Sequence, residues 1–198
     1  MLLAPNYAPR RPSSFSGPLA FAHPRLTLRP YVPSDEAAFF AVLGKDRARL
    51  QEAFPARLAA VQTSADAGRI LESFDLDWHT KRMFVLGIWR TAGGQYLGDI
   101  SLKPTWARTV TAEIGYYLAS EAEGYGYARE ALTAAVQLGF SPIINADRLV
   151  IRCRVDNPRS CAVAVANGFQ LVPPQPRLWS PRKLEKESDI LHFALNRP

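Results

Sequence analysis

A glycine-rich segment in the second half of the chain has the residue types best suited to chemistry. Residues 123–132 have the sequence Glu-Gly-Tyr-Gly-Tyr-Ala-Arg-Glu-Ala-Leu, which follows a strand-like run at 112–118 and opens an apolar-periodic helix. Glycine allows a tight turn, and a turn at a helix N-terminus leaves backbone N–H groups free to bind phosphate oxygens. The segment therefore predicts a site for a phosphate-bearing ligand.

A second strand–helix junction supports this prediction. The strand predicted at 148–155 precedes Asn157-Pro158, where Asn suits the cap and Pro the first turn of a short helix that Asn167-Gly168 ends. A single Gly-x-Gly pattern would be weak by itself, because many glycine turns merely end a strand. Two helix N-termini beside adjacent parallel strands, however, form a polar notch suited to an elongated anion.

The rest of the hydrophobic pattern supplies the elements that position this notch. The order β-α-α-β-β-β-α-β-α-β-β, with hairpins first and strand–helix–strand crossovers later, predicts an α/β (α+β) fold with a mixed sheet flanked by helices. Strands are predicted at 25–31, 83–89, 96–103, 109–118, 148–155, 169–172 and 189–195. Helices are predicted at 35–43, at 46–60 with an interruption near Pro55, from Thr63 or Ser64 to about Trp78, from the glycine turn to about Phe140, and at 157–167. Ser34 is expected to cap the first helix, whose expected inner stripe is Ala37, Phe40, Ala41 and Gly44.

Size and composition indicate one domain with an extension. The 198 residues divide into a flexible N-terminal arm, 1–24, which is rich in Pro, Ser and Arg, and a domain at 25–198. No apolar run approaches the roughly 18 residues that span a bilayer. Prolines interrupt the first 22 residues, so no signal peptide is predicted, and a cytoplasmic location without a membrane partner is expected.

Charge and cysteine content exclude several classes of site. The net charge of +6 is spread over the chain without a basic helix or an aromatic-basic motif, so no nucleic-acid partner is predicted. Cys153 and Cys161 are too few and too far apart for a metal cluster, and they are expected to be reduced thiols. No metal site is predicted.

These motifs together resemble the acetyl-CoA site of the GNAT N-acetyltransferase superfamily. The branch that the chain resembles most is that of the bacterial ribosomal-protein N-terminal alanine or serine acetyltransferases, over about residues 25–196. The resemblance implies a twisted, mostly antiparallel sheet with a splayed pair of parallel strands at the CoA site. The matching segments are 113–118, 123–132, Val155-x-Asn157-x-x-Ser160, Asn167-Gly168-Phe169 and Leu26-x-Leu28-Arg29-Pro30.

The resemblance also implies acetyl-CoA as the co-substrate. Its expected binding residues are Tyr116, Leu118, Gly124, Tyr125, Gly126, Tyr127, Ala128, Arg129 and Asn157. The turn's N–H groups would hold the diphosphate, and the strand 114–118 and Asn157 would flank the pantetheine arm. One departure concerns the first position of the family pattern, which has Gln or Arg: it falls on Glu123 or, in an alternative register, on Glu121, and is Glu either way. A carboxylate repels a diphosphate, so Glu123 is expected to point outward.

Acetyl transfer to an amine requires a base and a proton donor for the leaving thiolate. Glu113, on the central strand, is the candidate base and Asp99 the runner-up, although Glu113 could equally be a salt-bridged strand residue. A backbone N–H near Tyr116 could stabilise the developing oxyanion. Ser160 is the candidate proton donor, by its resemblance to the serine of the ribosomal-protein branch, or else a residue that bonds locally in a first helical turn.

The sequence therefore predicts an acetyl-CoA-dependent N-acetyltransferase that works by direct attack of a primary amine. The favoured acceptor is the N-terminal α-amine of a protein such as a ribosomal protein. The alternatives are a small-molecule amine (an amino acid, a polyamine or an antibiotic) and a non-catalytic CoA-binding module. Helices at 35–80 and a loop at 173–187 are expected to form the acceptor site, and monomer and homodimer both remain open.

Overall fold

A computed structural model describes residues 21–22, 24–173 and 189–198. The strands are β1 (Phe21–Ala22), β2 (Leu26–Arg29), β3 (Phe84–Arg90), β4 (Tyr96–Thr105), β5 (Thr111–Leu118), β6 (Arg148–Arg154), β7 (Gln170–Val172) and β8 (Ile190–Asn196). The helices are α1 (Glu36–Lys45), α2 (Arg47–Leu50), α3 (Pro55–Ala60), α4 (Ser64–His79), α5 (Tyr127–Phe140) and α6 (Pro158–Ala166). Most of the predicted arm and of the loop at 173–187 lies outside the described residues.

All of these strands form one sheet in the order β1-β2-β3-β4-β5-β6-β8-β7. Only β5 and β6 are parallel, and every other neighbouring pair is antiparallel. The predicted mixed and mostly antiparallel sheet is therefore confirmed. The short strand β1 is an addition, since it falls within the segment that the sequence predicts to be a flexible arm.

The parallel pair splays apart. Cα partners between β5 and β6 run from Thr111 and Arg148 to Ile114 and Ile151, and pairing stops there. Each strand nevertheless continues, β5 to Leu118 and β6 to Arg154. The backbone edge of β5 beyond Ile114 consequently faces an opening in the sheet.

Two apolar cores cover the two faces of the sheet. One contains alternate residues of β5 and β6, such as Ala112 and Leu149, packed with α5. The other contains Phe39, Leu43, Leu71 and other residues of α1 to α4, packed on the opposite face. Because successive strand residues point to opposite faces, neighbouring side chains on β5 enter different layers of the molecule.

The first helical region differs in detail from its prediction. α1 begins at Glu36 after a 3-10 turn, and it is Asp35, not Ser34, that accepts a hydrogen bond from a backbone N–H, that of Val32, at 2.9 Å. The buried residues of α1 are Phe39 and Leu43, so the predicted inner stripe is wrong. Asp35, directly before α1, also pairs with Arg29 of β2 at 2.7 Å, a contact between separate elements that local periodicity does not reveal.

Candidate active site

The glycine turn has the conformation and the free donors that an anion site requires. Gly124 and Gly126 have φ angles of +84° and +83°, a region that suits glycine. In the described part of the chain, the backbone N–H groups of residues 124–128 donate to no carbonyl or side chain, although these residues connect β5 to α5. Several unpaired donors at a helix N-terminus fit a diphosphate.

Contacts from β2's start hold this turn in place. The Arg25 guanidinium donates to the Tyr125 carbonyl at 3.0 Å and pairs with Glu130 in the first turn of α5. It also lies over the Tyr127 ring, 5.0 Å from the centroid. The turn is therefore braced from the side of its carbonyl groups, which leaves its N–H groups unused.

The sequence predicts that Glu123 points outward, but in the structure its side chain contacts two arginines. Its carboxylate accepts hydrogen bonds from Arg49 of α2 at 2.8 Å and from Arg159 of α6 at 2.9 Å. Arg49 also donates to the Leu118 carbonyl at 2.5 Å and to Asp46 at 3.1 Å. Two guanidinium groups from separate helices thus converge on the first residue of the turn.

The splay between β5 and β6 forms a cleft of about 240 Å³. Its lining combines candidate residues from the sequence with residues that the sequence did not suggest. They are Ala53, Phe54, Glu113, Ile114, Gly115, Tyr116, Ile151, Arg152, Cys153, Arg154, Asn157, Ser160 and Ile190. Ala53 and Phe54 directly precede α3, within the region 35–80 that the sequence predicts to border the acceptor site.

A hydroxyl pair lies at the α6 side of the cleft. Tyr116 Oη and Ser160 Oγ are 3.0 Å apart, and Cys153 Sγ lies 3.4 Å from Ser160 Oγ. Burial raises the pKa of Tyr116 to about 12 and that of the Cys153 thiol to about 12, so both groups stay protonated near neutral pH. The sequence analysis named Tyr116 only as a CoA-binding residue and missed its hydroxyl. Strand alternation was the available signal, because Tyr116 lies two residues after Ile114 and therefore on the same face of β5.

Glu113 lies at the opposite side of the same cleft. Strand alternation places Glu113 and Gly115 on the α1–α4 face, away from Tyr116 and Ser160. Glu113 Oε2 lies 3.7 Å from Arg152 Nε, and 27% of the Glu113 side chain is exposed. Gly115 places no side chain beside it. The structure therefore brings the two candidate catalytic residues to the two sides of one opening.

Asp99, the runner-up base, lies beneath α3. Its side chain is 1% exposed, and Oδ2 accepts from Arg57 at 2.5 Å and from the Tyr31 hydroxyl at 3.1 Å. Tyr31 and Tyr96 hydroxyls lie 2.6 Å apart, and Tyr96 and Tyr117 hydroxyls 2.9 Å apart. Asp99 is thus engaged in a buried network, while Glu113 borders the cleft.

The remaining candidate residues occupy the expected elements. Asn157 Oδ1 caps α6 by accepting from the Ser160 N–H at 3.1 Å, as predicted. Leu118 ends β5, and Arg129 is exposed on α5. Within the described ranges, no cluster of three or more His, Cys, Asp or Glu could hold a metal ion, and no helix is long and apolar enough to cross a membrane.

A family model for the acetyltransferase (GNAT) domain matches residues 25–170. The match covers well over half of the chain, and the splayed sheet and glycine turn agree with it. The chain belongs to this family of GNAT acetyltransferase domains.

One curated relative is a ribosomal-protein acetyltransferase. The chain is 40% identical over 77 residues to the ribosomal-protein-serine acetyltransferase of Escherichia coli (strain K12), and this alignment covers 39% of the chain and 42% of that enzyme. It therefore spans less than half of the length of this curated relative.

Solved structures share the whole fold at lower identity. A ribosomal-protein-S5-alanine acetyltransferase from Vibrio fischeri superposes with a TM-score of 0.76 at 20% identity, over 90% of this chain and 96% of that one. The microcin C7 self-immunity acetyltransferase MccE, in complex with acetyl-CoA and AMP, superposes with a TM-score of 0.74 at 21% identity. This match covers 88% of this chain and 94% of that one. At these identities the likeness establishes the fold alone.

Proposed function

We propose that the protein transfers the acetyl group of acetyl-CoA to the N-terminal α-amine of a protein such as a ribosomal protein. The observation that carries the acetyl transfer is the cleft between β5 and β6, which has a carboxylate on one side and a hydroxyl pair on the other. The choice of acceptor is supported by the 40% identity to a ribosomal-protein-serine acetyltransferase. Family membership and the names of the relatives support the same reaction. Because ribosomal proteins are made in the cytoplasm, a cytoplasmic location is part of the proposal.

The glycine turn is the proposed site for the CoA diphosphate. The five unpaired N–H groups of residues 124–128 supply fixed donors without a conformational change. The backbone edge of β5 beyond Ile114, with Tyr116 and Leu118, and the side-chain amide of Asn157 are proposed to flank the pantetheine arm. Arg129, exposed in the first turn of α5, is proposed to face a phosphate.

Ser160 is proposed to give a proton to the departing CoA thiolate. Its hydroxyl is 3.0 Å from Tyr116 Oη, so Tyr116 can replace the proton that Ser160 donates. Burial raises the pKa of Tyr116 to about 12, so its hydroxyl is protonated at neutral pH before the transfer and would regain a proton from solvent after it. The two hydroxyls therefore form a short relay on the α6 side of the cleft.

Glu113 is proposed to act as the base on the other side. An α-amine has a pKa near 8, so its deprotonation at neutral pH costs roughly 1 kcal/mol, whereas a lysine near 10.4 would cost several times more. An exposed carboxylate, acting directly or through water, is sufficient for the easier task. Asp99 is a less suitable base because Arg57 and Tyr31 already occupy one of its oxygens.

Acetyl-CoA would supply an activated thioester, and the chain supplies the geometry around it. The backbone edge of β5 at Tyr116 offers an N–H donor for the developing oxyanion. Gly115 leaves the α1–α4 side of the strand free of a side chain, so the amine can approach between Glu113 and Phe54.

A small-molecule amine is the second candidate acceptor. The similarity to MccE favours it, because that enzyme is named for self-immunity to microcin C7 and has a comparable fold. The two acceptor classes differ in size and not in chemistry, so the cleft itself is compatible with both.

The test is CoA release from acetyl-CoA with two acceptor pools run side by side. One pool contains peptides that begin with Ala or Ser, and the other contains polyamines, amino acids and aminoglycosides. Mass spectrometry then locates the added acetyl group. Label on the peptide α-nitrogen supports the proposal, whereas turnover confined to small amines would replace it with the second candidate.

The variant Glu113→Gln separates an enzyme from a binding module. We expect turnover to fall about 100-fold, in the range for loss of a general base, while acetyl-CoA binding measured by calorimetry stays unchanged. Glu72→Gln, on the exposed surface of α4, is the matched control. Unchanged turnover in Glu113→Gln would show that another group acts as the base.

A further inference from the structure

The first position of the glycine turn has an electrostatic problem. Glu123 adjoins the unpaired N–H groups of residues 124–128, where the proposed CoA diphosphate would bind. A carboxylate this close to a diphosphate is repulsive, and the repulsion is strongest where water is partly excluded. The Glu123 side chain is 32% exposed, so solvent screens it only in part.

Two arginines on different helices form ion pairs with the Glu123 carboxylate. Arg49 reaches Glu123 from α2, and Arg159 reaches it from the first turn of α6. Because Arg49 also pairs with Asp46, the cluster contains two cations and two anions, and its formal charges balance. Neither arginine is near Glu123 in sequence, since 74 and 36 residues separate them from it.

The two arginines differ in their other contacts. Arg49 is also bound to Asp46 and to the Leu118 carbonyl, so it has a structural role in joining α2 to the end of β5. Arg159 is 84% exposed, and Glu123 is its sole side-chain partner among residues 21–22, 24–173 and 189–198. A solvated arginine with a single carboxylate partner at a ligand site can be altered without disturbing the fold.

We propose that Arg159, together with Arg49, is a positioning residue that neutralises Glu123 and so makes this turn able to accept a diphosphate. The arginines act through Glu123 and need not touch the ligand. The inference rests on the proposed use of CoA, and it adds a requirement for a charge partner that a turn beginning with Gln or Arg would not have.

The test is the dissociation constant of CoA, measured by calorimetry without an acceptor. Arg159→Ala should weaken binding roughly fivefold, the effect of about one unpaired charge near a protein surface. In Arg159→Ala/Glu123→Gln the carboxylate is gone as well, and affinity should return to within about twofold of the unaltered protein. Arg159→Lys should retain most of the affinity. Arg69→Ala is the matched control, because Arg69 also pairs with one carboxylate, that of Asp66, on the surface of α4.

Each other outcome contradicts the inference in a recognisable way. Equal affinity in Arg159→Ala would reduce the contact to a surface ion pair without a role in binding. A fivefold loss that persists in the double variant would mean that Arg159 contacts the phosphates itself. If the unaltered protein fails to bind CoA at all, it is the proposed function that fails, and the charge argument is then overturned with it.

Discussion

Two carboxylate–arginine clusters in this molecule contain the same chemical groups, but one cluster is buried and the other is exposed to solvent. Asp99 and Arg57 have side chains that are 1% and 12% exposed, whereas Glu123 and Arg159 are 32% and 84% exposed. Removing one partner of a buried pair leaves an uncompensated charge in a poorly solvated place, but water replaces a lost partner at the surface. Burial thus makes the first cluster part of the architecture and leaves the second available for control of a ligand site.

The buried cluster joins α3 to the sheet beside the cleft. The Arg57 guanidinium lies 5.0 Å from the centroid of Phe74, 5.5 Å from that of Phe54 and 5.7 Å from that of Tyr117. Aromatic faces attract a cation, and here they surround the ion pair with Asp99. Since Phe54 lines the cleft, the position of the acceptor side of the site depends on this cluster.

The largest expected effect is that of Asp99→Asn. It leaves the Arg57 guanidinium buried without a negative partner, and we expect a loss of about 3 kcal/mol in the free energy of unfolding. Urea denaturation followed by circular dichroism measures it. Asp99→Asn/Arg57→Met should recover part of the loss, because the unpaired cation is removed too. A loss below about 1 kcal/mol in the single variant would show that solvent reaches this pair and would abolish the contrast between the clusters.

A smaller effect is expected for Tyr96→Phe. The Tyr96 hydroxyl lies 2.6 Å from Tyr31 Oη and 2.9 Å from Tyr117 Oη, and burial raises its pKa well above the usual value. Deleting a neutral hydroxyl from this chain should cost about 1 kcal/mol in the free energy of unfolding, again by urea denaturation. An effect as large as that of Asp99→Asn would mean that the hydroxyls, and not the charges, stabilise the cluster.

The two clusters also differ in how far the sequence could predict them. The strand–helix–strand pattern is local, and it correctly predicts the parallel strands β5 and β6. The glycine turn is local too, and Gly124 and Gly126 in it have positive φ angles. The Glu123–Arg49 contact joins residues 74 positions apart, and the Asp99–Arg57 contact joins residues 42 apart. No local signal encodes either pairing, because each depends on where separate elements pack.

The prediction for α1 failed for a related reason. Of the expected stripe, Ala37, Ala41 and Gly44 are exposed and Phe40 is only partly buried, while Phe39 and Leu43 are fully buried. The periodicity is correct for a helix, but the buried face is rotated away from the expected one; the helix follows Asp35, which pairs with Arg29 of β2. The same limit applies to the site: the glycine turn and Ser160 follow from local motifs, whereas the Tyr116–Ser160 pair requires β5 and α6 to meet.

The next effect depends on pH and concerns Asp46, which connects α1 and α2 to the exposed cluster. Its burial opposes ionisation, but hydrogen bonds from Ser120 and Arg49 and the charge of Arg49 prevail and lower its pKa. A folded-state pKa below the unfolded value of about 4 stabilises the fold above that pH, and the stabilisation is lost as pH falls through the folded-state pKa. Asp46→Asn lacks this contribution, and we expect it to cost under about 1 kcal/mol at pH 7.

Urea denaturation at a series of pH values from 7 to below 3 checks this expectation. The unaltered protein and Asp46→Asn should differ most at neutral pH and converge in acid. A difference that stays constant with pH would mean that the carboxylate's shape and packing, and not its charge, make the contribution. Such a result would mean that the charge of Asp46 does not hold Arg49 in place. It would weaken the proposal that Arg49 helps to neutralise Glu123.

The smallest effect on stability is expected for Arg159→Ala. A small effect here would distinguish the exposed Glu123–Arg159 pair from the buried Asp99–Arg57 pair. Arg159 is 84% exposed and bonded to Glu123 at 2.9 Å, so its removal should change the free energy of unfolding by less than about 0.5 kcal/mol. Urea denaturation without ligand measures this change. CoA in excess should then stabilise the variant less than the unaltered protein, because the stabilisation by a bound ligand rises with the logarithm of its affinity. A large loss of stability without ligand would place this pair in the same class as Asp99–Arg57, since the pair would then hold α6 against the turn whether or not CoA is bound.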